Sequence, residues 1–170
     1  MGMYDTITVW PRDRTHCADG HALGDLQTKS LECLMHRYVV FDGALYRVVE
    51  DDRETVVAAE GGRPVMRRTS RMEEERRTTT LLAYTHCGSC RPVLYLGGRS
   101  AWADEVSERD PWAEWQLELV DGRLVDLVPV KLETRDDIRA ALRKEGLEVL
   151  DDDERLARLH FARRSEPEAR

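Results

Sequence analysis

Hydrophobic and polar residues alternate along much of the chain with the two-residue period of β-strands. In "HRYVVFDGALYRVVE", two such runs flank Asp42-Gly43, and an Asp-Gly pair in this setting predicts a two-residue type I′ hairpin. The register then follows from the turn. The predicted cross-strand pairs are Phe41 with Ala44, Val40 with Leu45 and Val39 with Tyr46.

A second hairpin is predicted in "AEWQLELVDGRLVDLVPV". Its turn is Asp121-Gly122, which would bring Leu119 opposite Leu124 and Trp115 opposite Val128. Apolar and polar residues alternate in its first strand, so this strand is predicted to have one solvated face and to lie near a sheet edge. The second strand is apolar on both faces and is therefore predicted to be more central.

Helical patterns come late in the chain. Thr134 and Asp137 begin an amphipathic segment that ends before Gly146, as expected of a capped helix. A short strand, "LEVL", follows it, and a last helix is predicted from the acidic run at 151–153 through Arg164. A short helix is also predicted from Ser100 through Glu108, with Trp102 and Val106 on one face.

These elements predict an α+β fold made mainly of antiparallel sheet, with Asp-Gly hairpins, a zinc-ribbon-like knuckle and two C-terminal helices. Residues 1–99 are expected to form a β-rich knuckle region and residues 100–165 an α/β region packed on it, together one compact domain. Residues 166–170 are expected to form a frayed tail.

Composition narrows the class of protein. Hydrophobic residues make up 41% of the 170 residues, which is enough for a core without disulfides. The net charge of −7 opposes binding to nucleic acid or anionic membranes unless a local patch overrides it. The sequence contains no apolar run long enough to span a membrane, and its first residues lack the pattern of a signal peptide. We therefore expect a cytoplasmic protein without a membrane partner.

The most specific chemical signal is Cys87-Gly-Ser-Cys90, which lies between two strand-like runs. Two cysteines at this spacing in a turn form half of a zinc-ribbon site. The segment "THCADGH" offers the other half, because Cys17 and His21 are separated by three residues. The predicted ligands of a structural zinc ion are Cys17, His21, Cys87 and Cys90, with His16 as the substitute for one of the first two.

Other interpretations of Cys87 and Cys90 stay open. A redox pair usually begins a helix, whereas Arg91-Pro92 leads into a strand-like run. The two thiols can also be an unliganded reduced pair in a turn, or a disulfide. Cys33 has no partner at useful spacing and is expected to be a small buried apolar residue.

Two further segments, "MGMYDTITV" and "LGDLQTKSLECLMHRYVVFDGALY", carry a family resemblance. They resemble the opening of small phage and prophage proteins of unknown function, which have a Met-Gly-Met-Tyr/Phe-Asp start, zinc-knuckle-like cysteines and a Gln-Thr-Lys segment. The chain departs from that pattern by having "HCADGH" where a two-cysteine knuckle is expected. The resemblance implies a phage or prophage association and no activity. Gln27-Thr28-Lys29 itself is expected to be an exposed strand end or a ligand-contacting strip.

Two surfaces are candidates for partner binding. Six arginines lie between Arg63 and Arg77 around an acidic run, and this segment is expected to be a solvated loop or exposed helix. Within it, Arg67, Arg68 and Arg71 are the candidates for phosphate contacts in a nucleic-acid-binding protein. Trp112 follows Asp110-Pro111 in a predicted loop. It is the candidate anchor for a protein partner or for self-association.

A binding protein with a structural zinc ion is the preferred interpretation of the sequence, and no catalytic residue is assigned. A metal-dependent hydrolase is the alternative from another class, and it would need an open metal position and a general base. Glu32 and His36 are four residues apart, but the strand-like residues that follow are expected to separate them.

Overall fold

The computed structural model describes residues 3–58, 64–96 and 106–150, and within 51–58 and 64–69 it describes the backbone only. Eleven strands and one α-helix, α1 (Arg135–Lys144), lie in these residues. The strands are β1 (Asp5–Val9), β2 (Leu26–Thr28), β3 (Arg37–Phe41), β4 (Ala44–Ala58), β5 (Pro64–Glu74), β6 (Thr79–His86), β7 (Val93–Leu96), β8 (Val106–Arg109), β9 (Trp112–Val120), β10 (Arg123–Leu132) and β11 (Glu148–Val149).

The α+β prediction is wrong, because the described chain is mostly strand. The charged run at 64–74 pairs with β4 along its length, and residues 106–108, predicted to end a helix, belong to β8. In both places cross-strand pairing determines the backbone conformation, and the local charge pattern and the helical spacing predicted the wrong structure. The predicted helix through Arg164 and the tail at 166–170 lie outside the described residues, as does Trp102.

Contacts divide the chain into two compact units. The first consists of Met1–Thr85 and Ala113–Leu132, and the second of His86–Trp112 and Glu133–Arg170. The first unit contains an eight-stranded sheet with the order β10-β9-β6-β2-β1-β3-β4-β5. In this sheet β1 runs parallel to β3 and antiparallel to β2.

The two Asp-Gly turns bond to each other and thereby link the start of β10 to the start of β4. Leu45 N–H donates to the Gly122 carbonyl and Leu124 N–H to the Gly43 carbonyl, each at 2.8 Å. These bonds accompany a bridge between Arg123 of β10 and Ala44 of β4. This single bridge connects the two ends of a series of seven strands, and β5 extends from β4 outside that series.

Both hairpin turns are confirmed, but only the first register is confirmed in full. All three predicted β3–β4 pairs are present. In the β9–β10 hairpin, Leu119 faces Leu124 as predicted, whereas Trp115 faces Pro129 instead of Val128. A register shift between Leu124 and Asp126 inserts one residue and causes the displacement.

Beyond its bridge to Ala44, β10 pairs only with β9, so most of it is an edge strand and the prediction of a more central strand is wrong. Val125, Val128 and Val130 are exposed on it. Pro129 has no N–H to donate, and two register shifts interrupt the pairing with β9. These are features that protect edge strands from pairing with other chains.

The interior of the first unit is aliphatic, with one large aromatic residue from each of two strands. The predicted alternation of β9 is confirmed, since Trp115, Leu117 and Leu119 are buried. The core also includes Ile7, Val9, Leu26, Tyr38, Val40, Leu45, Leu81 and Ala83.

Gly122 occupies the tightest position of the two turns. Its φ is +75°, and a Cβ added there would lie 2.2 Å from the Glu75 carbonyl oxygen. Gly43 has nearly the same φ, +72°, but nothing lies within 4 Å of the position of its Cβ. Substitution at Gly43 therefore tests the cost of a side chain at positive φ alone, whereas substitution at Gly122 adds the cost of a clash with the Glu75 backbone.

We expect Gly122→Ala to lower the free energy of unfolding by about 3 kcal/mol or more and Gly43→Ala by about 1 kcal/mol. The smaller loss reflects a side chain at positive φ, and the difference reflects the displacement of the Glu75 backbone. Urea unfolding of both variants measures the two losses. Equal losses would contradict the close approach at Gly122.

The second unit contains a three-stranded sheet with the order β11-β7-β8 and helix α1. The helix is confirmed: Thr134 and Asp137 form a reciprocal capping box, and Gly146 has φ +78° beyond its last turn. Ile138 and Leu142 of the helix pack with Val93. The short strand after the helix is also confirmed, and it pairs with β7.

A buried carboxylate holds the loop that precedes β3. Asp5 is fully buried, and its carboxylate accepts hydrogen bonds from the N–H groups of Cys33 (2.7 Å), Leu34 (3.1 Å) and His36 (2.8 Å). Cys33 and Met35 have positive φ, +55° and +62°. Non-glycine residues keep such conformations only where surrounding contacts enforce them. Cys33 is half-buried in this loop rather than buried in the core.

Candidate metal centre

A tight turn brings the two N-terminal ligands together. Gly20 N–H donates to the Cys17 carbonyl at 3.0 Å, and Cys17 N–H donates to the His21 carbonyl, also at 3.0 Å. Gly20 has φ +79°, a conformation that favours glycine. The chain therefore reverses over four residues, and Cys17 Sγ lies 3.5 Å from His21 Nδ1.

The second pair of ligands lies in the turn after β6. Cys90 N–H donates to the Cys87 carbonyl at 3.2 Å, and Cys87 N–H donates to the Pro111 carbonyl at 2.9 Å. The turn is confirmed, but the zinc-ribbon hairpin is not supported. β6 belongs to the large sheet, whereas β7 pairs with β8 and β11, so the two flanking strands do not pair with each other.

The side chains of Cys17, His21, Cys87 and Cys90 lie together. One ligand atom from each residue lies within 4.8 Å of those of the other three. The three cysteines are buried and His21 is exposed. Three sulfur atoms and one imidazole nitrogen at such distances can hold a metal ion.

His16, the predicted substitute ligand, lies outside this group. Its ring packs edge-on against Trp115 at 5.2 Å between centroids, and its Nδ1 lies 3.0 Å from the Cys17 carbonyl oxygen. Trp115 Nε1 in turn donates to the His16 carbonyl at 3.3 Å. Through these contacts His16 stabilises the turn, whereas His21 is the histidine of the cluster.

The arginine-rich segment is a strand rather than a loop or helix, so that expectation is wrong. Arg67 and Arg68 lie on β5 opposite Thr55 and Glu54, and their side chains lie outside the description. Arg71 is exposed, and its Nη2 lies 2.8 Å from Glu73 Oε1. Its described neighbours are paired as well, since Arg76 contacts Glu74 and Arg77 contacts Glu75 and Glu32.

Charged and polar side chains connect the segment after β5 to the loop before β3. The Glu32 carboxylate lies 3.3 Å from Arg77 Nη2 and 3.2 Å from His36 Nδ1. The expected separation of Glu32 and His36 is therefore wrong, although no helix joins them.

Hydrogen bonds from Arg47 and then Arg71 hold the pKa of the Glu73 carboxyl below its ordinary value.

Tyr38 lies close to the side chains of Glu32 and Arg77, and its ring packs edge-on against that of His36. Burial, followed by the negative charge of Glu32, raises the pKa of its hydroxyl to about 12. The hydroxyl is buried and has no hydrogen-bond partner among the described residues. Tyr38 is therefore neutral at physiological pH, and it is not suited to act as a general base there.

Trp112 begins β9, so its predicted loop position is wrong. Its ring is half-buried and packs edge-on against His86, with 4.8 Å between centroids. Glu133 N–H donates to the Trp112 carbonyl at 2.9 Å. The proposed role of Trp112 in binding a partner stays a prediction.

Sequence reasoning missed a cleft on the first unit. Trp10 follows β1 and Phe41 ends β3, and the parallel pairing of Val9 with Val40 places them at the same end of the two strands. The aromatic cleft, as we call it, has a volume of about 510 Å³ and is lined by Trp10, Pro11, Arg14, Phe41, Asp42 and Gly43. The aromatic and basic residues of "WPRDR" could have indicated a binding site, but β3, which supplies Phe41, is distant in the sequence.

Within the described residues, no helix is long and apolar enough to cross a membrane. Comparison of the chain with protein-family models, with curated proteins and with solved structures finds no match.

Proposed function

We propose that this chain is a small binding protein whose fold is stabilised by a zinc ion held by Cys17, His21, Cys87 and Cys90. The observation that carries the proposal is the convergence of four ligand atoms within 4.8 Å from two segments that are distant in sequence. A tetrahedral zinc site has sulfur–nitrogen edges of about 3.5 Å and sulfur–sulfur edges of about 3.8 Å. The distance of 3.5 Å from Cys17 Sγ to His21 Nδ1 matches the first of these.

The ligand set supports a structural role for the metal over a catalytic one. Catalytic zinc sites usually have three protein ligands and one position for water or substrate. Here four protein side chains supply four ligands, and three of them are buried. Glu32 and His36 are the two side chains considered for a hydrolase. The Glu32 carboxylate is paired with Arg77 and lies 3.2 Å from His36 Nδ1.

Zinc is favoured by the chemistry of the ligands. Three thiolates and one imidazole suit zinc, whereas calcium and magnesium prefer oxygen ligands.

The acidic chain and the resemblance of its opening to phage and prophage proteins support a role in a phage-associated assembly. In that assembly the chain binds a protein partner or a second copy of itself.

Cobalt(II) substitution tests the ligand set directly. The cobalt-substituted protein is expected to show the intense visible bands of tetrahedral coordination with thiolate ligands, because cobalt adopts the geometry of the zinc site. His21→Ala should change this spectrum by removing the nitrogen ligand. His16→Ala is the matched control and should leave it unchanged. Weak bands typical of octahedral cobalt, or equal effects of the two variants, would contradict the proposal.

A further inference from the structure

The aromatic cleft presents two large apolar rings to solvent. Trp10 is 45% exposed and Phe41 is 51% exposed. Both are held by regular structure, because Trp10 N–H donates to the Val40 carbonyl at 2.8 Å and Phe41 pairs with Ala44 across the hairpin. The rings therefore have fixed backbone positions, and their exposure does not come from a frayed segment.

Two cations accompany these rings. The Arg12 guanidinium lies 5.5 Å from the centroid of a Trp10 ring, at cation–π distance, and Arg14 lines the cleft. Within the described part of the chain, neither arginine lies within 4.0 Å of a carboxylate. By contrast, Arg71, Arg76 and Arg77 are all paired with glutamates.

We propose that the aromatic cleft binds a nucleotide unit, with the base stacked on Trp10 or Phe41 and the phosphate contacted by Arg14. Aromatic faces combined with unpaired arginines are the means by which proteins hold single-stranded nucleic acid. A cleft of about 510 Å³ is also in the range that accommodates a small ligand. The nucleotide unit can come from single-stranded nucleic acid or from a free mononucleotide.

The charges of the cleft favour this ligand over a proline-rich peptide, which also docks on aromatic grooves. A phosphate would give Arg14 the anionic partner that the described residues do not supply. Asp42, which also lines the cleft, would repel a phosphate and so restricts it to the Arg14 end. The proposal moves the nucleic-acid contact away from the arginine-rich segment, in which Arg71, Arg76 and Arg77 are paired with glutamates. It does not depend on the metal, because none of the four ligands lines the cleft.

Fluorescence anisotropy of a labelled 12-nucleotide oligothymidylate, titrated with the protein at low salt, tests the proposal. Phe41→Ala is expected to weaken binding by about tenfold, through lost stacking. Arg14→Gln should weaken binding and reduce the slope of log K against log salt by about 0.7, the value for one phosphate contact on a single strand. Asp42→Asn should strengthen binding, because it removes a negative charge at a position whose positive φ asparagine tolerates.

Arg71→Gln is the matched control, because Arg71 is an exposed arginine that pairs with Glu73. It should leave binding unchanged, and circular dichroism verifies that every variant is folded. Competition with adenosine monophosphate and thymidine monophosphate distinguishes the two sources of the nucleotide unit. If a mononucleotide displaces the oligonucleotide and this displacement depends on Arg14, the ligand is a free nucleotide. If the oligonucleotide binds and neither mononucleotide displaces it, the ligand is single-stranded nucleic acid. The proposal is overturned if neither ligand binds at low salt, if Arg14→Gln and Phe41→Ala bind like the wild type, or if only a proline-rich peptide binds.

Discussion

Cys87→Ser is expected to release the bound metal and to destabilise the fold. Structural zinc contributes about 10–16 kcal/mol of binding free energy in small zinc domains, and that energy is coupled to folding. Loss of one buried thiolate ligand should remove on the order of 5 kcal/mol, which corresponds to a fall in Tm of about 10–20 °C for a chain of this size. Metal content by mass spectrometry and Tm by calorimetry should fall together.

Cys33→Ser is the matched control for this prediction. Cys33 is a free cysteine outside the cluster, so its replacement should leave metal content unchanged. A chelator should lower the Tm of the wild type and of Cys33→Ser but have little further effect on Cys87→Ser. A Cys87→Ser protein that keeps its metal, or a wild type that contains none when purified with zinc, would refute the proposed site.

Asp5→Ala is expected to lower the free energy of unfolding by about 3–5 kcal/mol, because it leaves three backbone N–H groups without their acceptor. The same change releases the loop in which Cys33 and Met35 are held at positive φ. Urea unfolding measures the loss. Amide exchange followed by nuclear magnetic resonance should show faster exchange at Cys33, Leu34 and His36 than in the wild type.

Asp13→Ala is the corresponding control, since Asp13 is an exposed aspartate in the short 3-10 helix at Arg12–Arg14. It should change the free energy of unfolding by less than about 0.5 kcal/mol. Unchanged protection of the three amides in Asp5→Ala would mean that the loop does not need the carboxylate, contrary to the expected result.

Features determined over a few residues were predictable from the sequence. The Asp42-Gly43 hairpin and its register follow from one turn type and from alternation on both sides. Helix α1 follows from a capping box, an apolar stripe and a glycine stop. The turn at Cys87-Gly-Ser-Cys90 is equally local. In each case the signal and the structure occupy the same short segment.

Features that depend on distant partners were mispredicted. The apolar residues of 123–132 suggested a central strand, but β10 pairs with β9 alone beyond a single bridge to β4. The charges of 64–74 suggested a loop or exposed helix, although β4 supplies a partner strand along most of this segment. The Trp115 register failed because a bulge adds one residue, and the turn type does not encode that bulge.

The sequence by itself determined the reactive groups of this protein, as two half-sites with spacings suited to one metal ion. The tertiary structure decided which histidine joins the cysteines, since the Gly20 turn directs His21 towards Cys17 while His16 packs on Trp115. It also placed Trp10 beside Phe41, which is 31 residues away in the sequence. It placed Asp5 against the loop at 33–36, which is about 30 residues away. The physical reason is that spacing within a segment follows from local backbone geometry, whereas the meeting of distant segments follows from strand order and burial of the whole chain.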